Sequence, residues 1–284
     1  MDDHAFARSM WTVVEPVHVV TYFSAECAAA NKEVGLRGFW MGYFGSRGAP
    51  LGPVGPGVIE ATFHGFHPAK VRRAVPDAWS FAAPEAILRA RSAAAATALR
   101  RLHGDVEKVA EQVNPLLARI VADADATGRT LFAANRDLTP PDDPVEALWQ
   151  HATSLREHRG DGHVAVLTAE GLGGAESNIL AAAVRGTPAQ WLKDSRGWSD
   201  EEWATAADGL VRRGLIDGNG EATDEGRALR GAIEDRTNAL AAPAYRVVEK
   251  PAELFGALRP VARAVIDSGE LPFPNPIGLP RLSG

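Results

Sequence analysis

The sequence predicts a mainly α-helical protein built from two diverged repeats, and three observations predict it. Alanine is abundant and gathers in stretches such as "RSAAAATALRR" from Arg91, while runs of Val, Ile and Tyr are few, a balance that favours helix over sheet. The chain also repeats itself. "LRGFWMGYFGSRGAPLGPVGPGVIEATFHGFHPAKVRRAVPDAW" is echoed by "LREHRGDGHVAVLTAEGLGGAESNILAAAVRGTPAQWLKDSRGW". Arg37 pairs with Arg156, Gly42 with Gly162, Ala49 with Ala169, Ala61 with Ala181, Pro68 with Pro188 and Trp79 with Trp198, at offsets of 119 or 120. The register slips to 111 between Leu99 and Leu210, and the two closing segments match again at Gly128 with Gly269 and Leu138 with Leu279. Third, the second half carries a succession of helix caps that ends in an Asn-Gly turn.

The repeats divide the chain at 1–140 and 141–284, with the Pro- and Asp-rich "TPPDDP" of Thr139–Pro144 as linker. In the first half, "APEAILRARSAAAATALRRL" reads as a long helix, and "HGDVEKVAEQVNPLLARIV" follows it without a hairpin signal. The second half opens with a helix from about Glu146 that the glycines Gly160 and Gly162 are expected to end. A helix around Asn178–Arg185 comes next. In "TPAQWLKDSRG", Thr187 reads as an N-cap and Pro188 as the first helical residue. Ser199 with Glu202 forms a capping box for the following helix, whose Ala206, Leu210 and Leu215 share a buried face. "LIDGNGEATDEG" then predicts a small β-hairpin wing, and "TDEGRALRGAIEDRTNALA" a further helix.

Three short helices, a hairpin and another helix make a winged helix-turn-helix, so the fold expected is two diverged winged-helix-like repeats from a tandem duplication, with a wing in the second. At "LVRRGLIDGNGEATDEGRAL" the chain resembles winged-helix regulators of the MarR type. Through "YFSAE", "GYFGSRGAPLG", "LREHRGDGHVA", "RGWSDEEW" and "NPIGL" it resembles, over nearly its full length, an actinobacterial family carrying a helix-turn-helix domain. The resemblance implies a scaffold and assigns no activity.

Composition narrows the function classes. A formal net charge of −6 gives no global field toward nucleic acid or an anionic membrane. The single Cys27 excludes an internal disulfide and a cysteine-rich zinc site and fits a reducing compartment. "MDDHAFARSMW" lacks the pattern of a signal peptide, and no apolar run is long enough to span a membrane, so a cytoplasmic protein is expected.

Two functions are weighed. The first is a nucleic-acid-associated or regulatory binding protein, with ligand responsiveness as a further expectation. Duplex DNA would be met by the first repeat, where Lys70, Arg72, Arg73, Arg89, Arg91, Arg100 and Arg101 face only Asp77 and Glu85. The bland reading of these cations is a solvated helix surface. In the second repeat Asp200, Glu201, Glu202 and Asp208 would repel phosphate. The alternative is an enzyme or small-molecule-binding protein with a polar site between the repeats, around His163.

His163 follows "REHRGDG" and precedes an apolar run, so its protonation can be tuned by Asp161 or Glu157. These three are the candidate acid-base groups. Tyr43 and His163 follow the matched Gly42 and Gly162. If the repeats face each other, Tyr43, Arg47, Arg159 and His163 converge on a small-molecule ligand. The bland reading is a helix end with favourable cations. Other motifs carry less. "GPVGPGV" fits no phosphate-binding loop, His64 and His67 with His18 lack a firm further metal ligand, and Cys27 reads as structural. No metal or cofactor is assigned.

Overall fold

The computed structural model describes residues 2–282. The chain forms helices α1 (Asp3–Phe23), α2 (Ala25–Glu33), α3 (Gly38–Gly48), α4 (Pro56–Thr62), α5 (Pro68–Arg72), α6 (Asp77–Phe81), α7 (Pro84–Leu102), α8 (Val106–Asp123) and α9 (Thr130–Arg136). The second half adds α10 (Pro144–Ala169), α11 (Gly174–Arg185), α12 (Ala189–Arg196), α13 (Asp200–Arg212), α14 (Asp224–Ala241) and α15 (Pro251–Asp267).

The axis of the molecule is α10, which begins where the linker ends. Asp143 caps it by accepting from Val145 N at 2.9 Å and Glu146 N at 3.0 Å, and Pro144 occupies the first turn, where a missing N–H costs nothing. Around it, α1, α7, α8 and α15 bury Met10, Val17, Leu99, Leu117, Trp149 and Val261 in one core. This core draws on both halves of the sequence.

Two smaller clusters flank it. One joins Leu167 of α10 with Ile179, Leu180, Leu210, Ile216 and Ile233 of α11–α14 and its loops, where the helix-turn-helix unit is expected. The other is rich in aromatics and joins Phe44, Ile59, Phe63, Phe66 and Val71, with Trp40 and Tyr43 packed against it. Edge-to-face ring pairs such as Phe44 with Phe66, 5.0 Å between centroids, fill this first-half module.

Two expectations are corrected. The helix expected to end at Gly160 runs nine residues further, to Ala169, and turns at Gly171, where φ is +64°. Glycine in a helix interior costs about 1 kcal/mol relative to alanine, and tertiary packing outweighs that here. A Cβ at Gly160 would lie 3.5 Å from Arg156 Nη1 and Glu157 Oε2, and one at Gly162 3.5 Å from Leu240 Cβ. Both distances are ordinary van der Waals contacts, so these positions pack against Arg156, Glu157 and α14 like any helical residue.

The β-hairpin wing is likewise absent as a sheet. Among the described residues the segment makes a single antiparallel bridge, Ile216 with Ala222. Asp217 accepts from Asn219 N at 2.8 Å and Glu221 N at 2.9 Å, which tightens the loop, and Thr223 already caps α14. Too few residues remain for a ladder.

Candidate functional site

A cavity of about 400 Å³ opens between the aromatic module and the helix-turn-helix unit, above α1 and α10. That volume lies in the range of small-molecule pockets, roughly 300–1,000 Å³. Its walls combine aromatic rings from α1, α3 and the Phe63–Phe66 segment with the guanidiniums of Arg47, Arg156, Arg159, Arg185, Arg196 and Arg230. Phe39 of α3 and Trp191 of α12, 53% and 38% exposed, stand on the rim.

Glu157 organises the floor. It is 0% exposed and accepts from Arg47 Nε at 2.7 Å, Arg47 Nη2 at 2.8 Å and Arg156 Nη1 at 2.8 Å. Burial alone would raise its pKa, but Arg156 and Arg47 hold the carboxyl well below its ordinary range. Arg156 continues the chain to Glu15 at 3.2 Å, whose other oxygen accepts from Trp11 Nε1 at 3.0 Å. Arg47 also donates to the Tyr43 hydroxyl at 3.1 Å.

At another part of the lining, Glu234 receives Arg8, Arg159 and Arg230, and Arg159 also donates to Asn238 Oδ1 at 3.0 Å. His163 sits beside this cluster. Its Nδ1 is 2.9 Å from the Thr237 hydroxyl, whose own proton goes to Ile233 O at 2.7 Å. Thr237 therefore accepts, His163 carries its proton on Nδ1, and Nε2 is left as an acceptor without a protein partner. Burial and the neighbouring Arg230 push the imidazole down to about 3, so it is neutral at pH 7.

The four residues expected to converge, Tyr43, Arg47, Arg159 and His163, all line this cavity. The expected acid-base trio does not assemble. Asp161 points to the other side of α10 and accepts from Phe132 N at 2.9 Å, at the start of α9. Residues two apart on a helix face nearly opposite ways, so Asp161 cannot serve His163. Glu157 is saturated by arginines.

Sequence reasoning missed Tyr22. Its hydroxyl lies 2.9 Å from His18 Nε2, and His18 Nδ1 lies 2.9 Å from Thr153 Oγ1, a buried chain leading away from the cavity. The i, i+4 spacing of His18 and Tyr22 was the available signal. His64 also lines the cavity, with a buried Nδ1 that meets no partner.

Most cations of the basic stretch of the first half are paired within the chain. Arg91 is 4% exposed and donates to Ser46 O at 2.7 Å and to Asn135 Oδ1 and Gln150 Oε1 at 3.1 Å. Its assignment to a DNA-contacting surface is corrected: it lies on the buried stripe Ile87, Arg91, Ala94, Ala95 and Ala98. Arg100 pairs with Glu107 at 2.6 Å and Asp143 at 2.7 Å, Arg101 with Glu26 at 2.5 Å and Glu270 at 2.8 Å, and Arg72 with Glu60 at 2.7 Å. Lys70 lies 3.9 Å over the Trp40 ring and donates to Asp194 O at 3.2 Å. Arg73 and Arg89 are exposed.

The helix-turn-helix unit is docked on the first half. Asn178 Nδ2 and Trp198 Nε1 both donate to Gly65 O, at 2.8 and 3.1 Å, and His67 N donates to Arg196 O at 3.0 Å. His67 Nδ1 accepts from Ala69 N at 3.1 Å, so its Nε2 carries the proton toward Glu202 at 2.8 Å. The outer surface of α13 exposes Asp200, Glu201, Glu202 and Asp208, with Arg212 and Arg213 at its end. Among the described residues no helix is long and apolar enough to cross a membrane, and no group of three His, Cys, Asp or Glu is placed to hold a metal ion.

Helices α11, α12 and α14 thus supply one wall of the central cavity. The model of a helix-turn-helix family matches residues 7–272, and the chain belongs to that family. No curated protein and no solved structure matches it.

Proposed function

We propose that this chain is a regulatory-type binding protein that takes a small molecule into the cavity between its two halves, with the helix-turn-helix unit as one wall. The observation that carries the reading is the lining itself: six guanidiniums and a belt of aromatic rings around a void of small-molecule size. Polar groups kept from water without partners are costly, and a ligand supplies the missing partners. Binding is favoured over catalysis because the serine hydroxyls in the wall have no base. Ser177 donates to Gly174 O at 2.9 Å and Ser195 to Leu192 O at 3.0 Å, each within its own helix. The repeat register supports reading 1–140 and 141–284 as two related halves that meet across this cavity.

Native mass spectrometry of the undenatured protein and thermal shift against a small-molecule panel test the proposal. Saturable binding that raises the melting temperature is expected, and it is expected to be lost when Ala181, in the wall, becomes Trp. Equal binding by Ala181→Trp refutes it.

Family membership favours a second reading, in which the scaffold also meets duplex DNA. The exposed Arg73, Arg89 and Arg212 are cations placed to do so, whereas Arg213 is engaged by Gly171 O at 3.1 Å and Glu170 O at 3.0 Å. Gel shift at rising salt tests this. Retardation that weakens when Arg73 and Arg89 become Ala supports it, and no retardation at low salt removes it.

A further inference from the structure

One carboxylate serves too many cations at the Glu234 end of the cavity. Arg8, Arg159 and Arg230 all reach Glu234, and Arg185 lies close enough for their charges to act on it. Four guanidiniums thus face one acid, and the nearby His163 is neutral. Arg230 is 8% exposed, yet its Nη1 meets no acceptor, and neither does Nε of Arg159. Arg185 donates only a long bond, 3.4 Å, to Ile277 O. Arginines in excess of acid on a cavity wall, one of them with only a long bond to a carbonyl, are the complement of a bound anion.

The rest of the lining selects what carries that anion. Trp40, Tyr43 and Phe66 present ring surface, with Tyr43 and Phe66 5.4 Å apart, suited to a flat apolar body. We infer that the cavity binds an aromatic carboxylic acid, its carboxylate held by Arg185 and Arg230 and its ring system lying against the aromatic wall. This rests on the small-molecule reading above and specifies its ligand class. His163 Nε2, an acceptor at the same end, leaves a place for a donor on the ligand beside the acid.

Calorimetry with 2-naphthoate and its neutral counterpart 2-naphthamide tests the assignment. The acid is expected to bind at least tenfold more tightly than the amide, with the preference falling as salt rises. Arg185→Gln and Arg230→Gln are each expected to abolish that preference while leaving amide binding unchanged. Arg185 is a surface-reaching side chain, so its variant folds whether or not Arg230→Gln does. Arg72→Gln, whose partner is Glu60 outside the cavity, keeps the preference. Amide binding equal to or tighter than the acid, or a preference that survives in Arg185→Gln, overturns the anion assignment and leaves a small-molecule cavity standing. Failure of both probes to bind overturns the cavity reading with it.

Discussion

Replacing Glu157 with Gln isolates the charge that holds the cavity floor. The side chain keeps its size but loses its negative charge, and Arg47 and Arg156 are left facing each other with Glu15 as their remaining acid. The carboxylate is 0% exposed and takes three N–H bonds of 2.7 to 2.8 Å. Removing one partner of a buried ion pair costs about 3–5 kcal/mol, because the surviving charge stays buried without compensation. At roughly 2 °C per kcal/mol for a chain of this size, the melting temperature is expected to fall by about 6–10 °C. Differential scanning calorimetry at pH 7 measures this. The combined change Arg47→Met, Glu157→Leu, Arg156→Met and Glu15→Gln removes the four linked charges together and is expected to recover most of the loss. A fall smaller than about 2 °C for Glu157→Gln refutes the reasoning that this carboxylate is pinned and dry.

Three further outcomes are expected. Burial, then the charge of Glu157, raises Asp161 to about 6, so the folded state binds its proton more tightly than the unfolded chain does. That stabilisation is complete below the unfolded pKa and is lost as pH rises through about 6, so Asp161→Asn is expected to stabilise the protein at pH 8 by about 1–3 kcal/mol, read from urea unfolding at pH 5 and 8. His151 and His158 are buried and pushed down to about 4, so their contribution is present above the unfolded pKa and fades as pH falls from about 6.5 toward 4. Acid unfolding followed by circular dichroism is expected to begin within that window, and a flat signal down to pH 4 contradicts it. Finally, a Cβ at Gly174 would stand 2.4 Å from His64 O and 2.9 Å from the Trp198 ring. Gly174→Ala is therefore expected to lift α11 from the first half, costing about 1–3 kcal/mol and weakening whatever the cavity binds; unchanged stability and binding would contradict the docking.

Much of the helix-turn-helix unit was legible in the sequence because its signals are local. Ser199 and Glu202 form the capping box they spell, and Gly197, at φ +85°, turns the chain between α12 and α13. The set Tyr43, Arg47, Arg159 and His163, which lines the cavity, was expected on a different ground, the register proposed between the halves. What misled was local reading where tertiary contacts decide. Gly160 and Gly162 look like a helix stop, yet the helix runs through them because α10 is packed on several sides. Arg91 looks like a surface cation, although its place in the apolar stripe of α7 already said otherwise.

Composition, caps and hydrophobic spacing by themselves determined a helical chain, the succession α10–α14 and the acidic surface of α13, since each of these depends on neighbours within a few residues. Only the tertiary structure decided which arginines are spent on partners and which are left over. Arg91, Arg100 and Arg101 find acceptors from distant segments, whereas Arg185 and Arg230 crowd one carboxylate beside a cavity. Electrostatic pairing acts through space and not along the chain, so seven cations in one stretch of sequence and six around one void carry opposite meanings.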